Sequence, residues 1–385
     1  MRPFDEDRIR DLQILSTLDR SDLLGGLSGA ADQVRRGIRI GQDADLAAIQ
    51  RDEAVRSVLV EASGGARLAG DALARLAGDI SPRVVDRVEM PGLPGWFGSE
   101  DLLGVVTHRG ASPYQAELVR EAGKRGARVL TVGDPTSEPA AACAEAGGVH
   151  LTVPALHSSA RASVWGLLAP TAIALARIGG PEVTAADLED VATRLEAVWS
   201  VCAPGVALEA NPAKQLAGRL EGSAPVIVGG SPTMQVVADR LRQMLARTAR
   251  IPSMTATLPD AAQDVLACLA GPLSMPMPTL TDDPFAATFA EDGDRQHGRL
   301  GLVILRDDPG IDSEAARDRS RLADQLADEA EQRGVEVITV RAEAGHPLVR
   351  IAGVVHTLDL AAAYLALAHA MDPLAPELIV DLARR

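Results

Sequence analysis

The chain has 385 residues and a formal charge of −15, from 38 basic and 53 acidic side chains; 46% of it is hydrophobic but only 2% aromatic. That length exceeds one comfortable core and predicts two domains. The negative surplus argues against nucleic acid or an anionic membrane as the main partner, and the scarcity of aromatics removes the stacking platforms of a single-strand reader.

Taken in order, residues 1–50 are acidic and Ala-rich and predict helices packed around the outside. The start, Met1-Arg2-Pro3-Phe4-Asp5-Glu6-Asp7, lacks the apolar core of a secretory leader. A short apolar strand is predicted over Arg56–Ala62, running into Ser63-Gly64-Gly65 and a helix from about Arg67 to Leu76. Leu102–Thr107 is the next strand, followed by the turn His108-Arg109-Gly110-Ala111-Ser112-Pro113 and a helix over Tyr114–Lys124. Arg128–Val132 follows as a third strand.

The second half repeats this order. Pro225–Val228 runs into Gly229-Gly230-Ser231-Pro232 and a helix to about Ala246. Leu300–Leu305 leads to Arg306-Asp307-Asp308-Pro309-Gly310, a helix over Ser313–Gln332 and the strand Val335–Val340. Matching units lie roughly 170 to 210 residues apart, far beyond any solenoid period. Pro181–Val201 predicts a helix bridging the halves, and the Pro- and Asp-rich stretch Pro272–Gly298 a long irregular loop. Short apolar strands alternating with longer helices imply parallel, doubly wound sheets, with ligands outside the carboxyl ends of the strands. No apolar run is expected to cross a bilayer, which takes about 20 residues. The three scattered cysteines, Cys143, Cys202 and Cys268, suit a reducing compartment, so the expected location is cytoplasmic.

Two turns carry the candidate chemistry. Ser63, Gly64 and Gly65 stand between a strand and a helix, where glycine lets the backbone approach a ligand and free N–H groups attract an anion. Thr107, Arg109, Gly110 and Ser112 place two hydroxyls and a cation around a glycine at a second helix start, the donor set a phosphate monoester needs. The alternative for Ser112 is a plain N-cap before Pro113. No G-x-G-x-x-G or P-loop pattern supports a dinucleotide or ATP, so no cofactor is expected. His150, His157, His346, His356 and His369 show no metal-ligand spacing, and no metal is expected; His297 precedes a core strand, where a ligand edge could lie.

At these residues the sequence resembles the bifunctional phosphoglucose/phosphomannose isomerases, a family with two SIS domains whose members are usually dimers. The phrase Ala62-Ser63-Gly64-Gly65-Ala66-Arg67-Leu68-Ala69-Gly70-Asp71 is similar to that family's GMGGSAIGGD, and residues 107–112 stand where it has SYSGNT, its phosphate cradle. Ala160-Arg161-Ala162 resembles its PRA segment, Asn211–Ala217 its NPAKKLA, and Tyr364–Leu367 with Asp372-Pro373 its ending. The resemblance implies two SIS domains in tandem, flavodoxin-like and doubly wound, with peripheral helices. Their expected extents are a helical segment over 1–50, domains over 51–180 and 222–371, linking helices over 181–221 and a C-terminal helix over 372–385. It also implies a homodimer and a phosphorylated sugar as ligand.

The catalytic set departs from the family's. The ELNHNE carboxylate falls at Val265, with Asp264 adjacent, and the C-terminal lysine near Arg384, which stays protonated and cannot shuttle a proton. In the cradle, Ala66, Arg109 and Ala111 replace two hydroxyls and an Asn. The expected catalytic residues are therefore Arg161, facing the enediolate, with Asp264 or His297 as fallback base. Two functions follow from this: an isomerase-like protein of the glucose-6-phosphate/mannose-6-phosphate class with an incomplete catalytic set, or a non-catalytic phosphosugar sensor or regulatory partner.

Overall fold

The computed structural model describes residues 3–50, 55–81, 83–88, 92–109, 113–155, 157, 159–274, 300–307 and 313–374. Strands β1 (Ser57–Ala62), β2 (Val84–Arg87), β3 (Leu102–Val106), β4 (Arg128–Gly133) and β5 (Val149–Thr152) form one parallel sheet in the order β2-β1-β3-β4-β5. Strands β6 (Ala224–Gly229), β7 (Met254–Thr257), β8 (Leu300–Arg306) and β9 (Glu336–Arg341) form a second, β7-β6-β8-β9, also parallel. In each sheet the first strand lies between the second and the third. The duplication read in the sequence is therefore a repeat of the doubly wound topology, and the fold is two such sheets in tandem.

The central strands β1, β3, β4 and β8 are buried along their whole length because helices cover both faces. Their alternate side chains enter different cores. Val58, Val60 and Ala62 join Ile227, Val303 and Leu305 in one large cluster shared by the two halves. Leu59, Leu103 and Val105 build the outer core of the first sheet, and Val226, Val228 and Ile304 that of the second. The strands β2, β5 and β7 escaped the sequence reading. Each is four residues long, and part-exposed, so none shows a continuous apolar run.

Helices α1 (Asp7–Arg10), α2 (Leu12–Leu18), α3 (Leu23–Ser28) and α4 (Ala30–Asp43) occupy the N-terminal segment, as the composition implied. Helix α5 (Arg67–Ile80) follows β1 and extends beyond the predicted Leu76; α6 (Pro113–Lys124) follows β3; α7 (Glu138–Glu145) and α8 (Val164–Arg177) complete the first half. Helix α9 (Ala185–Cys202) starts on a capping box in which Thr184 and Asp187 satisfy each other's backbone N–H. After α10 (Pro212–Leu220), α11 (Pro232–Met244) begins with Ser231 as its N-cap, then widens into a π turn over Leu245–Ala249 where the sequence implied plain α-helix. Helices α12 (Ala262–Leu269), α13 (Glu314–Gln332) and α14 (Pro347–Ala368) complete the described chain.

Helix α14 corrects one expectation. With 22 residues, and a mean hydropathy of 1.7 over an 18-residue window, it is long and apolar enough to cross a membrane, yet 89% of that window is buried inside the protein. It packs on α9, α10, α11, α1 and α5, and so serves as the core helix that both halves share. The Asn211–Ala217 phrase acquires a structural role against it. Asn211 caps α10, accepting from the Lys214 N–H at 3.0 Å and donating to the Ala203 carbonyl. The Lys214 ammonium donates to the Pro204 and Val206 carbonyls at 2.8 and 2.9 Å and lies 5.5 Å from the Tyr364 ring centre. Tyr364 in turn donates to the Cys202 carbonyl at 2.7 Å, so the phrase locks the end of α9 onto α14.

His356 of α14 is 1% exposed beside Trp199, and neither ring nitrogen has a hydrogen-bond partner among the described residues. Burial pushes its pKa from 6.5 down to about 4. The folded protein thus keeps His356 neutral while the unfolded chain takes up a proton below pH 6.5. Stability from this residue is complete above pH 6.5 and is lost as pH falls toward 4. Urea unfolding at pH 7 and pH 5 should show the wild type losing about 2 kcal/mol more than His356→Phe over that interval. Equal losses would show that this residue is not the acid-sensitive one.

Candidate anion-binding site

The β1/β3 register pairs Ala62 with Val106, so Ser63 and Thr107 leave neighbouring strands side by side at the carboxyl edge of the first sheet. The chain turns to opposite faces after these two strands, which makes this the switch point where doubly wound folds hold ligands. After β1 the chain forms a short 3-10 turn over Gly64–Ala66. Gly64 has φ +62°, a conformation that favours glycine. At Gly65 an added Cβ would lie 2.8 Å from both the Ala160 Cβ and the Arg161 N, so the residue 160–162 turn seats directly on it. Thr107 is buried, its N–H donating to the Val132 carbonyl at 2.9 Å, and Arg109 is exposed beyond it. Gly110 and Ser112 lie outside the described residues.

A cleft of about 360 Å³ opens on the β2 side of this turn. The first half lines it with Glu61, Ser63, Gly64, Arg67 and Arg87. The second half contributes Arg242 from α11 and Arg247 from the π turn. Four guanidinium groups therefore converge in a protein whose net charge is −15. Arg67 Nε and Arg87 Nε lie 3.2 and 2.8 Å from the two oxygens of Asp71, one carboxylate between two cations. Burial pushes the Asp71 carboxyl up, against the pull of Arg87 and Arg67.

The two cations from the second half are unmatched. Among the described residues neither the Arg242 nor the Arg247 side chain makes a hydrogen bond or an ion pair. Burial pushes Arg247 below its ordinary value, and the charges of Arg240, Arg242 and Arg67 push it further. The carboxyl edge of the second sheet is furnished differently. There Arg306 is bound to Asp324 and Ser320, and Arg350 donates to Asp307 at 2.7 Å. There the charges are paired with one another, whereas the cleft of the first sheet presents positive charge to whatever enters.

Behind the cleft a buried ion pair within the second half fixes the guanidinium that reaches across to the first. Arg240 of α11 meets Asp359 of α14 at 2.7 Å, both side chains 2% exposed. The same guanidinium donates to the Gly65 carbonyl at 3.3 Å and to the Arg161 carbonyl at 2.9 Å. Arg240 therefore holds both turns of the first half at once. Arg161 sends its own guanidinium to the Thr248 hydroxyl at 2.6 Å and the Pro373 carbonyl at 3.3 Å. Burial, then the charges of Arg240 and Arg247, lower its pKa to about 10.

Of the residues singled out in the sequence, Ser63 and Gly64 line the cleft, Gly65 forms its back, and Arg161 lies beside it. Thr107 and Arg109 follow β3, on the other side of β1 from β2. Asp264 is exposed on α12, which packs on α13 and β7. Val265 is fully buried in the outer core of the second sheet with Val226 and Ile304. His297 and Arg384 lie outside the described residues. Sequence reasoning missed Glu61, Arg67, Asp71, Arg87, Arg240, Arg242, Arg247 and Asp359. Their one legible signal was basic or acidic side chains in otherwise apolar elements, Glu61 within a strand and Asp359 within α14. Among the described residues no three His, Cys, Asp or Glu side chains gather to hold a metal. The donors present, guanidinium groups around a glycine turn, suit an anion.

Residues 209–385 match the family model of the bacterial phospho-glucose isomerase C-terminal SIS domain. No curated protein sequence matches the chain. Among solved structures, a glucose-6-phosphate isomerase-like protein from Thermus thermophilus is 21% identical, with a TM-score of 0.58 over 100% of this chain and 99% of that one. The C-terminal domain of glucosamine-fructose-6-phosphate aminotransferase from Francisella tularensis is 12% identical, with a TM-score of 0.60 over 92% and 98%. A glucose-6-phosphate isomerase from Chlamydia trachomatis is 10% identical, with a TM-score of 0.61 over 97% and 84%. At these identities the structural likeness speaks for the fold, and the family match covers the C-terminal part. Taken with the repeated sheet order, they give the chain the two-sheet fold of the phosphosugar isomerase-like proteins, with residues 209–385 matching the SIS domain itself.

Proposed function

We propose that the protein binds a small phosphorylated sugar of the glucose-6-phosphate/mannose-6-phosphate class in the cleft beside the Gly64 turn. The observation that carries this is the pair of unmatched cations, Arg242 and Arg247, facing a glycine turn across the seam between the halves. A phosphate monoester brings about −1.5 to −2 charges at pH 7, which offsets two guanidinium groups. Three unpaired cysteines suit a reducing, cytoplasmic setting. The homodimer implied by the resemblance belongs to the same proposal.

The test is thermal unfolding with glucose 6-phosphate, mannose 6-phosphate and fructose 6-phosphate, using the free sugars as controls. A ligand at a hundred times its Kd should add about 2.7 kcal/mol of stability, and the free sugars should add none. Arg247→Gln removes one charge-assisted contact, worth about 1.5–3 kcal/mol, and should weaken binding roughly 10- to 100-fold. No stabilisation by any phosphosugar at millimolar concentration would refute the proposal.

A second reading, a sensor without catalysis, rests on one specific observation. The position expected to carry the base, Val265, is in the core, and its neighbour Asp264 is exposed on α12. Neither lines the cleft.

A further inference from the structure

The cleft contains a carboxylate of its own. Glu61 is the penultimate residue of β1, on the face of the sheet that also carries Leu59, and it lines the cleft floor beside Arg87. It is the one acidic residue among the described residues of the lining. Its side chain is held in place: the Gln115 amide of α6 donates to Oε2 at 2.5 Å and also approaches the Ser63 hydroxyl at 3.4 Å. Asp71, the nearest alternative, stands behind the lining and is engaged by two arginines. A buried carboxylate that no structural ion pair occupies, on the floor of a cationic cleft, is what proton transfer to and from a bound sugar phosphate requires.

We propose that Glu61 is the catalytic proton carrier of this site, replacing from the first half the carboxylate that the second half lacks at Val265. The inference rests on the phosphosugar reading above. In an open-chain aldose phosphate, one Glu61 oxygen takes the C2 proton. The electron pair of the broken C2–H bond forms the C1=C2 double bond, and the carbonyl pair moves onto O1. Arg87 supplies the positive charge that steadies this enediolate. The O2 proton then passes to O1, the C2=O bond forms, and the C1=C2 pair takes the proton back from Glu61 at C1. Two protons have moved, one from C2 to C1 through Glu61 and one from O2 to O1, and no electrons are gained or lost. Burial raises the Glu61 carboxyl above its ordinary range, against the donors Gln115 and Ser63 and the charge of Arg87. That is the direction suited to a group that must both accept and return a proton.

The experiment has two readouts on the same full-length protein. Thermal unfolding with each sugar phosphate, and with inorganic phosphate, reports binding. Proton NMR in D2O reports exchange of the sugar C2 proton, which requires only the first step. The wild type should exchange the C2 proton of at least one aldose phosphate that stabilises it. Glu61→Gln should slow that exchange about 10²- to 10⁴-fold while inorganic phosphate still raises the melting temperature. Glu61→Asp keeps the charge but shortens its reach, and should slow exchange about 10²-fold with the phosphate response intact. Stabilisation of the wild type without C2 exchange would overturn the role of Glu61 and leave a sensor. Exchange within tenfold of wild type in either variant would overturn it as well. Absence of stabilisation by any phosphosugar would remove the binding reading and this one together.

Discussion

Asp359→Ala should cost the protein about 3–5 kcal/mol of folding stability, read as a lower urea midpoint. The reason is the asymmetry of buried ion pairs. With both partners present the desolvation of Arg240 and Asp359 is largely offset by their attraction; with Asp359 removed, a guanidinium remains buried without its counterion. Burial drives the Asp359 carboxyl upward while Arg240 and Arg161 pull it back, so the pair is held together by those cations. Replacing both partners, Arg240→Met with Asp359→Leu, should recover much of the loss, because no unpaired charge is left. The double variant should nevertheless respond more weakly to phosphosugar. Arg240 also donates to the Gly65 and Arg161 carbonyls, and without it the back of the cleft loses its anchor. A loss below about 1 kcal/mol in Asp359→Ala would show that water reaches the pair.

Val265→Glu, the substitution that would rebuild the carboxylate expected from the resemblance, should destabilise the protein by about 4 kcal/mol or more and add no isomerase activity to that of the wild type. Val265 is fully buried among aliphatic side chains of the outer core, so the new carboxyl would find no partner there. Fully buried acids shift by about 3–5 pKa units, and each unit is worth about 1.4 kcal/mol at neutral pH. Urea unfolding gives the loss; a coupled assay with glucose 6-phosphate and mannose 6-phosphate gives the activity. A stable variant that isomerises either sugar at least tenfold faster than the wild type would mean that residue 265 reaches the ligand after all. It would also weaken the case for Glu61 as proton carrier.

These two substitutions mark where the resemblance and the structure part. By resemblance, residue 265 is the base and Arg161 faces the reacting sugar. In the structure, Val265 seals a core, while Arg161 donates to Thr248 and the Pro373 carbonyl. The Asn211–Ala217 phrase, the most family-specific in the chain, ties α9 to α14 through Lys214 and Tyr364. The resemblance is most evident in how the helices are locked together.

The sequence by itself determined the units and their order. Continuous apolar strands such as 102–106 and 300–306, each followed by a turn and a helix, announced parallel sheets covered on both faces, and their repetition announced two of them. It also located the Gly64 turn, because glycine between a strand and a helix is a local signal. Short edge strands such as Val84–Arg87 were invisible, since half-exposed residues lack an apolar run. Only the tertiary structure decided what faces that turn. Arg67 and Arg87 belong to one half, Arg242 and Arg247 to the other, and no spacing along the chain relates them; α11 brings them together by packing against α5 and α14 in the core that the two halves share. The same packing left Arg247 among other arginines with no described carboxylate to pair with, while the second sheet matched its own cations with Asp324 and Asp307. Local pattern is set by the backbone's own geometry, so it can be read residue by residue. The charge of a cleft is a sum over distant segments, and it exists only once the chain has folded.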